Sequence, residues 1–226
     1  MTRTCCLCSQ IRGERSGDLL SELLDHDGQY RSRVLFRSES LVTIPSLGGL
    51  GEAHLLVCTT EHVRRFVSAS ITHERLQSYV GNVVAELLRL TESTSIHMFE
   101  HGNAAKGSRV VCTVDHAHLH LVASDAEVWA RLRPRANWVS VSGPQEIKEL
   151  VGLSEYLYYR DPSGRSYCAV PRLGEVFESQ LIRKAFADAE GNPARWNWRD
   201  EPRAAEADSL LNQLESRLEP ALRGRV

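Results

Sequence analysis

Residues 115–121 read Asp-His-Ala-His-Leu-His-Leu, so His116, His118 and His120 alternate with Ala117, Leu119 and Leu121. A period of two belongs to an extended strand, whose successive side chains point to opposite faces. The three imidazoles are therefore expected on one face and the apolar side chains on the other. At a rise of ~3.3 Å per residue, neighbouring rings start about 6.6 Å apart, within reach of a single phosphate group or metal ion. Histidine is a weak strand former, so propensity gives no reason to place three of the chain's 9 histidines in one strand. The pattern calls for a sheet with one apolar face buried and a histidine face that meets a ligand.

The rest of the chain can supply such a sheet. Its 226 residues, 42% hydrophobic and 25% charged, have the balance of a soluble globular protein of one domain with an extension. No run approaches the ~18 apolar residues of a membrane span. The opening Met-Thr-Arg-Thr-Cys-Cys-Leu-Cys has neither the apolar stretch nor the cleavage site of a secretory signal, so a cytoplasmic location without disulfides is expected. A net charge of −2 is no footprint for nucleic acid or an anionic membrane, and phosphate affinity would have to be local.

Short extended stretches are expected at 33–37, 41–45 and 54–58, with a glycine-rich turn at 46–51 before the third. From Thr72 as N-cap, Leu76, Val80, Val83, Val84, Leu87, Leu88 and Leu90 recur at helical spacing up to about residue 93. Strands are expected again at 95–100 and 114–122. Strands, a long helix and strands point to an α+β fold with an antiparallel sheet of about five strands. After residue 125 the pattern suggests a strand at 138–141, a short helix at 145–151 and a hairpin of 156–160 with 165–170. A helix lined by Val176, Leu181, Ile182, Ala185 and Phe186 would follow. Ala204, Ala207, Leu211, Leu214 and Leu218 form a last stripe, expected to pack on the body. The organisation expected is a catalytic module at 1–125 and an α/β extension at 126–226 packed on it.

Cys5 and Cys8 form Cys-x-x-Cys, the spacing of half a tetrahedral zinc site. No second pair follows, so the other ligands would be histidines distant in sequence; the rival is a redox pair, which normally opens a helix after a strand. Cys6, Cys58, Cys112 and Cys168 read as small buried hydrophobes.

These residues together resemble the histidine triad superfamily of nucleotide-binding hydrolases and transferases, whose signature is His-φ-His-φ-His-φ-φ with φ apolar. His116-Ala-His-Leu-His-Leu-Val122 matches it at every position. Cys5-Cys-Leu-Cys-Ser-Gln-Ile-Arg-Gly-Glu14 is similar to the opening Cys-x-x-Cys-x-x-Ile-x-Gly-Glu of its zinc-bearing branch. His54-Leu-Leu-Val-Cys-Thr-Thr-Glu-His62 is similar to its His-x-Leu-Val-x-Pro-x-x-His segment, with Thr59 in place of proline. Phe99-Glu-His-Gly102 stands where the strand and loop before the triad lie, and Cys112 where many members have glutamine. The resemblance covers roughly residues 1–125.

It implies that His118 attacks the α-phosphorus of a nucleotide derivative and forms a covalent nucleotidyl-imidazole. His120 and the Thr113 hydroxyl would donate to non-bridging oxygens, and His54 would be the fourth active-site histidine. Glu100 and His101 occupy substrate-contacting positions. Water completes the reaction in a hydrolase; phosphate or another acceptor does so in a phosphorylase or transferase. A nucleotide-binding module without significant catalysis is the remaining alternative. The resemblance also implies a structural zinc on Cys5, Cys8, His62 and His116, and a homodimer. Outside the resemblance, Gln180 and Arg183 share one side of a helix, either to reach the pocket and select the leaving group or as an exposed polar face. Arg131, Arg133 and Arg135, with Arg64 and Arg65, read as a solvated face, with contact to a polyphosphate as the alternative.

Overall fold

A computed structural model describes residues 5–25, 30–103 and 114–217. Among the described residues eight strands form one sheet: β1 (Phe36–Arg37), β2 (Leu41–Pro45), β3 (Ala53–Thr59), β4 (Ile96–Gly102), β5 (His118–Ala123), β6 (Trp138–Val141), β7 (Tyr156–Arg160) and β8 (Ser166–Ala169). Their spatial order is β1-β2-β3-β5-β4-β7-β8-β6, and every neighbouring pair is antiparallel. The fold is thus α+β as expected, but the sheet has eight strands rather than about five. The difference arises because β7 pairs along β4, with Phe99 opposite Tyr159 and His101 opposite Leu157, so the segment after residue 125 continues the sheet itself.

The helices are α1 (Cys6–Arg12), α2 (Leu19–Leu24), α3 (His73–Leu90), α4 (Val128–Leu132), α5 (Pro144–Val151), α6 (Leu181–Ala189) and α7 (Ala204–Arg217). None among the described residues is long and apolar enough to cross a membrane. Thr72 caps α3 by accepting from Arg75 N, as its sequence suggests. The helix stops at Leu90, short of the expected 93, because the Glu52 carboxylate takes the backbone N–H groups of Glu92 and Ser93. α3 lays Tyr79, Val80, Val83 and Leu87 on the face carrying Leu55, Val57, Leu119 and Leu121. Leu211 and Leu214 of α7 join this core, so the C-terminal stripe packs on the body; Leu218 lies outside the described residues. Val176 is 54% exposed and precedes α6, so it is not part of that helix's buried face.

The extended stretch expected from residue 33 narrows to two residues, because Arg33 turns inward. Its guanidinium meets Asp25 at 2.6 Å and Asp208 at 2.9 Å, tying the N-terminal segment to α7.

On the opposite sheet face two groups of helices pack with a cleft between them. α1 packs Leu7 and Ile11 on Val42, Ile44, Leu56 and Cys58 of β2 and β3. α4 and α6 pack Val128, Leu132, Ile182 and Phe186 on Phe99, Leu157 and Tyr159 of β4 and β7. Between them lies β5, which forms the floor of a cleft.

Candidate functional site

β5 begins at His118, so only His118 and His120 share its cleft face, and the expectation of three imidazoles on one strand is corrected for His116. His116 precedes the strand because its ring is directed to the N-terminal thiols. Its Nδ1 lies 3.4 Å from Cys8 Sγ and 3.6 Å from Cys5 Sγ, while its Nε2–H donates to the Thr59 carbonyl at 2.8 Å. His62 Nδ1 lies 3.2 Å from Cys8 Sγ. The ligand atoms of Cys5, Cys8, His62 and His116 all fall within 4.8 Å of one another, a spacing at which four donors can surround one ion. Two thiols and two ring nitrogens are the donor set of a closed tetrahedral site, and the Thr59 carbonyl holds His116 in the tautomer whose Nδ1 lone pair faces the thiols. Burial, then Cys5 beside it, pushes the Cys8 thiol up to about 11, a penalty that a cation between them removes. Cys5 is the N-cap of α1.

Two residues on, the His118 Nδ1–H donates to the His116 carbonyl at 2.6 Å. This bond fixes the proton on Nδ1 and leaves the Nε2 lone pair for an electrophile. Burial in the first place pushes the His118 pKa down to about 4, so the ring is neutral at neutral pH.

A second chain of bonds sets His120. The Leu50 N–H donates to His54 Nδ1 at 3.2 Å, so His54 carries its proton on Nε2 and donates to His120 Nδ1 at 2.8 Å. His120 must then carry its own proton on Nε2, the ring edge away from His54. Burial lowers the pKa of both rings well below the ordinary value, in keeping with two neutral imidazoles. Phe99 stacks on His120 with centroids 4.1 Å apart, and the His118 and His120 rings stand 4.9 Å apart edge to face. A lone pair and a fixed N–H donor are thus presented side by side.

Strand alternation decides the remaining candidates. His101 lies on the cleft face with Phe99, and its Nε2–H donates to Glu155 Oε1 at 2.5 Å. Glu100 points to the opposite face, where it accepts from Phe66 N at 2.8 Å and from the Tyr156 hydroxyl; it is not a cleft residue, contrary to the expectation. Burial raises its pKa to about 7. Gln180 and Arg183, far away in sequence, line the cleft with His118 and His120. Arg183 is 4% exposed, so it is not on an exposed helix face. Thr113 and Cys112 lie outside the described residues.

Arg131, Arg133, Arg135 and Arg64 lie away from the cleft lining, and Arg65 is buried with its guanidinium on Ser68 and the Ser154 carbonyl. His97 is a satisfied core residue between the Tyr159 hydroxyl and the Ser124 carbonyl. Sequence reasoning missed Phe99, Glu155 and Trp198 as parts of the site. Phe99 had a signal, standing on the triad face of β4, whereas Glu155 and Trp198 arrive through long-range packing.

No family model matches the chain, and no curated protein matches it. Solved structures similar to it include a hypothetical histidine triad nucleotide-binding protein from Sulfolobus tokodaii strain 7, at 12% identity and TM-score 0.38, covering 94% of this chain and 93% of that one. A yeast Ap4A phosphorylase in complex with Ap4A is similar at 10% identity and TM-score 0.37, covering 88% of this chain and 81% of its own. A histidine triad nucleotide-binding protein from Candida albicans is similar at 21% identity and TM-score 0.35, covering 54% and 77%. At these scores the likenesses assign no role to any residue of this chain. By its motif, and by the place of that motif beside a Cys2His2 cluster in an antiparallel α+β sheet, the chain resembles the histidine triad superfamily.

Proposed function

We propose that the protein is a nucleotide hydrolase of the histidine triad type, acting at the α-phosphate through a nucleotidyl-His118 intermediate. The observation that carries this reading is the 2.6 Å bond from His118 Nδ1–H to the His116 carbonyl, which leaves one lone pair of a neutral ring on the cleft side. In the first step the Nε2 lone pair forms an N–P bond, and the bond from phosphorus to the leaving group breaks with its electron pair on the leaving atom. The His120 Nε2–H donates to a non-bridging oxygen as charge shifts in the transition state, with His54 holding the tautomer; Thr113 is a further hydroxyl donor by resemblance. In the second step water forms an O–P bond, the N–P electron pair returns to His118 Nε2, and the water proton passes to solvent.

Cys5, Cys8, His62 and His116 are the residues that would hold a zinc ion, and with four protein ligands its contribution is structural. His116 then ties that centre to the carbonyl that orients His118. A reducing cytoplasm is the compartment that keeps both cysteines available as ligands. The homodimer implied by the resemblance would form elsewhere than along β4, because β5 and β7 take both of its edges.

The test is incubation with α-labelled nucleoside diphosphates followed by an alkaline quench. Acid-labile label on wild type and none on His118→Ala is expected; label that persists on the variant removes the mechanism. Product analysis with and without inorganic phosphate then separates hydrolysis from phosphorolysis or transfer. A nucleotide that raises Tm without labelling or turnover points to a binding module.

A further inference from the structure

Six histidines are buried or half-buried among the described residues, and the partners of their ring nitrogens sort them into two sets. His54, His97 and His116 use both nitrogens. His54 stands between the Leu50 amide and His120, His97 between the Tyr159 hydroxyl and the Ser124 carbonyl, and His116 between the thiols and the Thr59 carbonyl. His101, His118 and His120 use one nitrogen each among the described residues, and these three are the histidines that line the cleft. In His118 and His120 the bonded atom is Nδ1, and Nε2 is left over. His101 is reversed: its Nε2–H donates to Glu155 Oε1 at 2.5 Å, and Nδ1 is left over. An ionised carboxylate only accepts, so the neutral His101 ring carries its proton on Nε2 and its lone pair on Nδ1.

Strand register sets this ring beside the nucleophile. Phe99 pairs with His120 across β4 and β5, and the same antiparallel register carried on by two residues puts His101 opposite His118. Such cross-strand neighbours have Cβ atoms about 5 Å apart on one face of a sheet. Glu155 does not line the cleft; its side chain is 6% exposed and stands behind His101, just before β7. Phe177 meets the His101 ring edge to face, with centroids 6.2 Å apart. A carboxylate that holds one imidazole nitrogen fixes the tautomer and stabilises the imidazolium formed when the other nitrogen takes up a proton.

Breakdown of a nucleotidyl-histidine by water needs such an acceptor. At that stage His118 Nε2 is bonded to phosphorus, and His120 Nε2 already carries a proton. No aspartate or glutamate lines the cleft among the described residues. The remaining lone pair is that of His101 Nδ1. We propose that His101 is the general base of the second step, with Glu155 as its positioning residue, so that the site is built to activate water. As the water oxygen bonds to phosphorus, the N–P electron pair returns to His118 Nε2 and the water proton passes to His101 Nδ1. The imidazolium, paired with the Glu155 carboxylate, then releases that proton to solvent and the neutral ring is restored. The inference rests on the nucleotidyl-His118 reading, and it assigns the hydrolytic half of that reaction to a pair outside the triad.

The experiment uses the p-nitrophenyl esters of AMP, GMP, UMP and CMP, whose leaving group departs without a proton. With the preferred base, the burst of nitrophenolate reports the first step and the steady rate reports the second. In His101→Gln the burst is expected to persist at close to one equivalent per chain, while the steady rate falls at least ~30-fold, the scale of a lost general base. An anionic acceptor that carries no proton, azide or fluoride, is expected to raise the variant's steady rate at least ~10-fold and to do little for wild type. Glu155→Gln is expected to slow the second step by itself and to add nothing in the His101→Gln background, whereas a merely structural role gives additive losses. First and second steps slowed alike in a folded His101→Gln, or no rescue by either anion, overturns the assignment. Turnover without burst or label on His118, still slowed by His101→Gln and restored by azide, removes the covalent intermediate and leaves the base standing. Wild type that turns over none of the four esters removes both. Should His101→Gln fail to fold, Glu155→Gln, which keeps the ring, decides by the same burst and rescue.

Discussion

His54 Nε2 lies 2.8 Å from His120 Nδ1, and since His54 Nδ1 already accepts from the Leu50 amide, the proton between the two rings belongs to His54. The second cleft histidine is therefore a donor by construction, and the backbone of a glycine-rich turn is what makes it one. His54→Phe is expected to lower kcat by ~10- to 100-fold with little change in substrate KM, the scale of losing a positioned donor. His54→Gln, which keeps an N–H, is expected to retain more activity. Steady-state kinetics on the folded variants checks both.

The Cys2His2 cluster joins the N-terminal end of α1, the loop after β3 and the segment just before β5. Wild type is expected to carry about one metal ion per chain, and Cys8→Ser to lose it with a fall in Tm on the order of 10 °C. Elemental analysis and thermal unfolding measure the two. A metal-free wild type of undiminished stability would end the assignment.

Asp25 and Arg33 meet at 2.6 Å with side chains 8% and 3% exposed. The hydrogen bond from Arg33 holds the Asp25 pKa down to about 2, below its unfolded value. A carboxylate shifted this way adds stability that is present above about pH 4 and lost as pH falls towards 2. Asp25→Asn is therefore expected to lower stability at neutral pH and to flatten this acid decline, as read by denaturant unfolding across that range.

Gly51 has φ 60, and a Cβ there would run into the Ala123 carbonyl. Its N–H donates to Glu190 at 2.9 Å, so the turn cannot easily move aside. Gly51→Ala is expected to cost ~2–4 kcal/mol, with an unchanged denaturant slope. Because Leu50 feeds the His54 bond, activity should fall with it.

Much of the site was legible because its signals are local. Alternation of histidine with apolar residues marks a strand, Cys-x-x-Cys marks two thiols spaced to meet at one point, and Thr72 before a 3.6-residue stripe marks a helix start. These depend on neighbours a few residues away, so the chain by itself determined that β5 would carry His118 and His120 on one face, and that α3 would bury one stripe.

What only the tertiary structure decided depends on contacts between distant segments. His116 leaves the strand pattern because thiols more than 100 residues earlier draw its ring. Glu100 stands beside His101 in sequence but faces Tyr156 across the sheet, since alternation sends neighbours to opposite sides. Arg183 lies on a helix whose polar side is not assigned by periodicity, and its guanidinium is held inward by the carbonyls of residues 48 and 196. Periodicity reports which side chains share a face; which face meets which partner is settled only when the strands pair and the helices close over them.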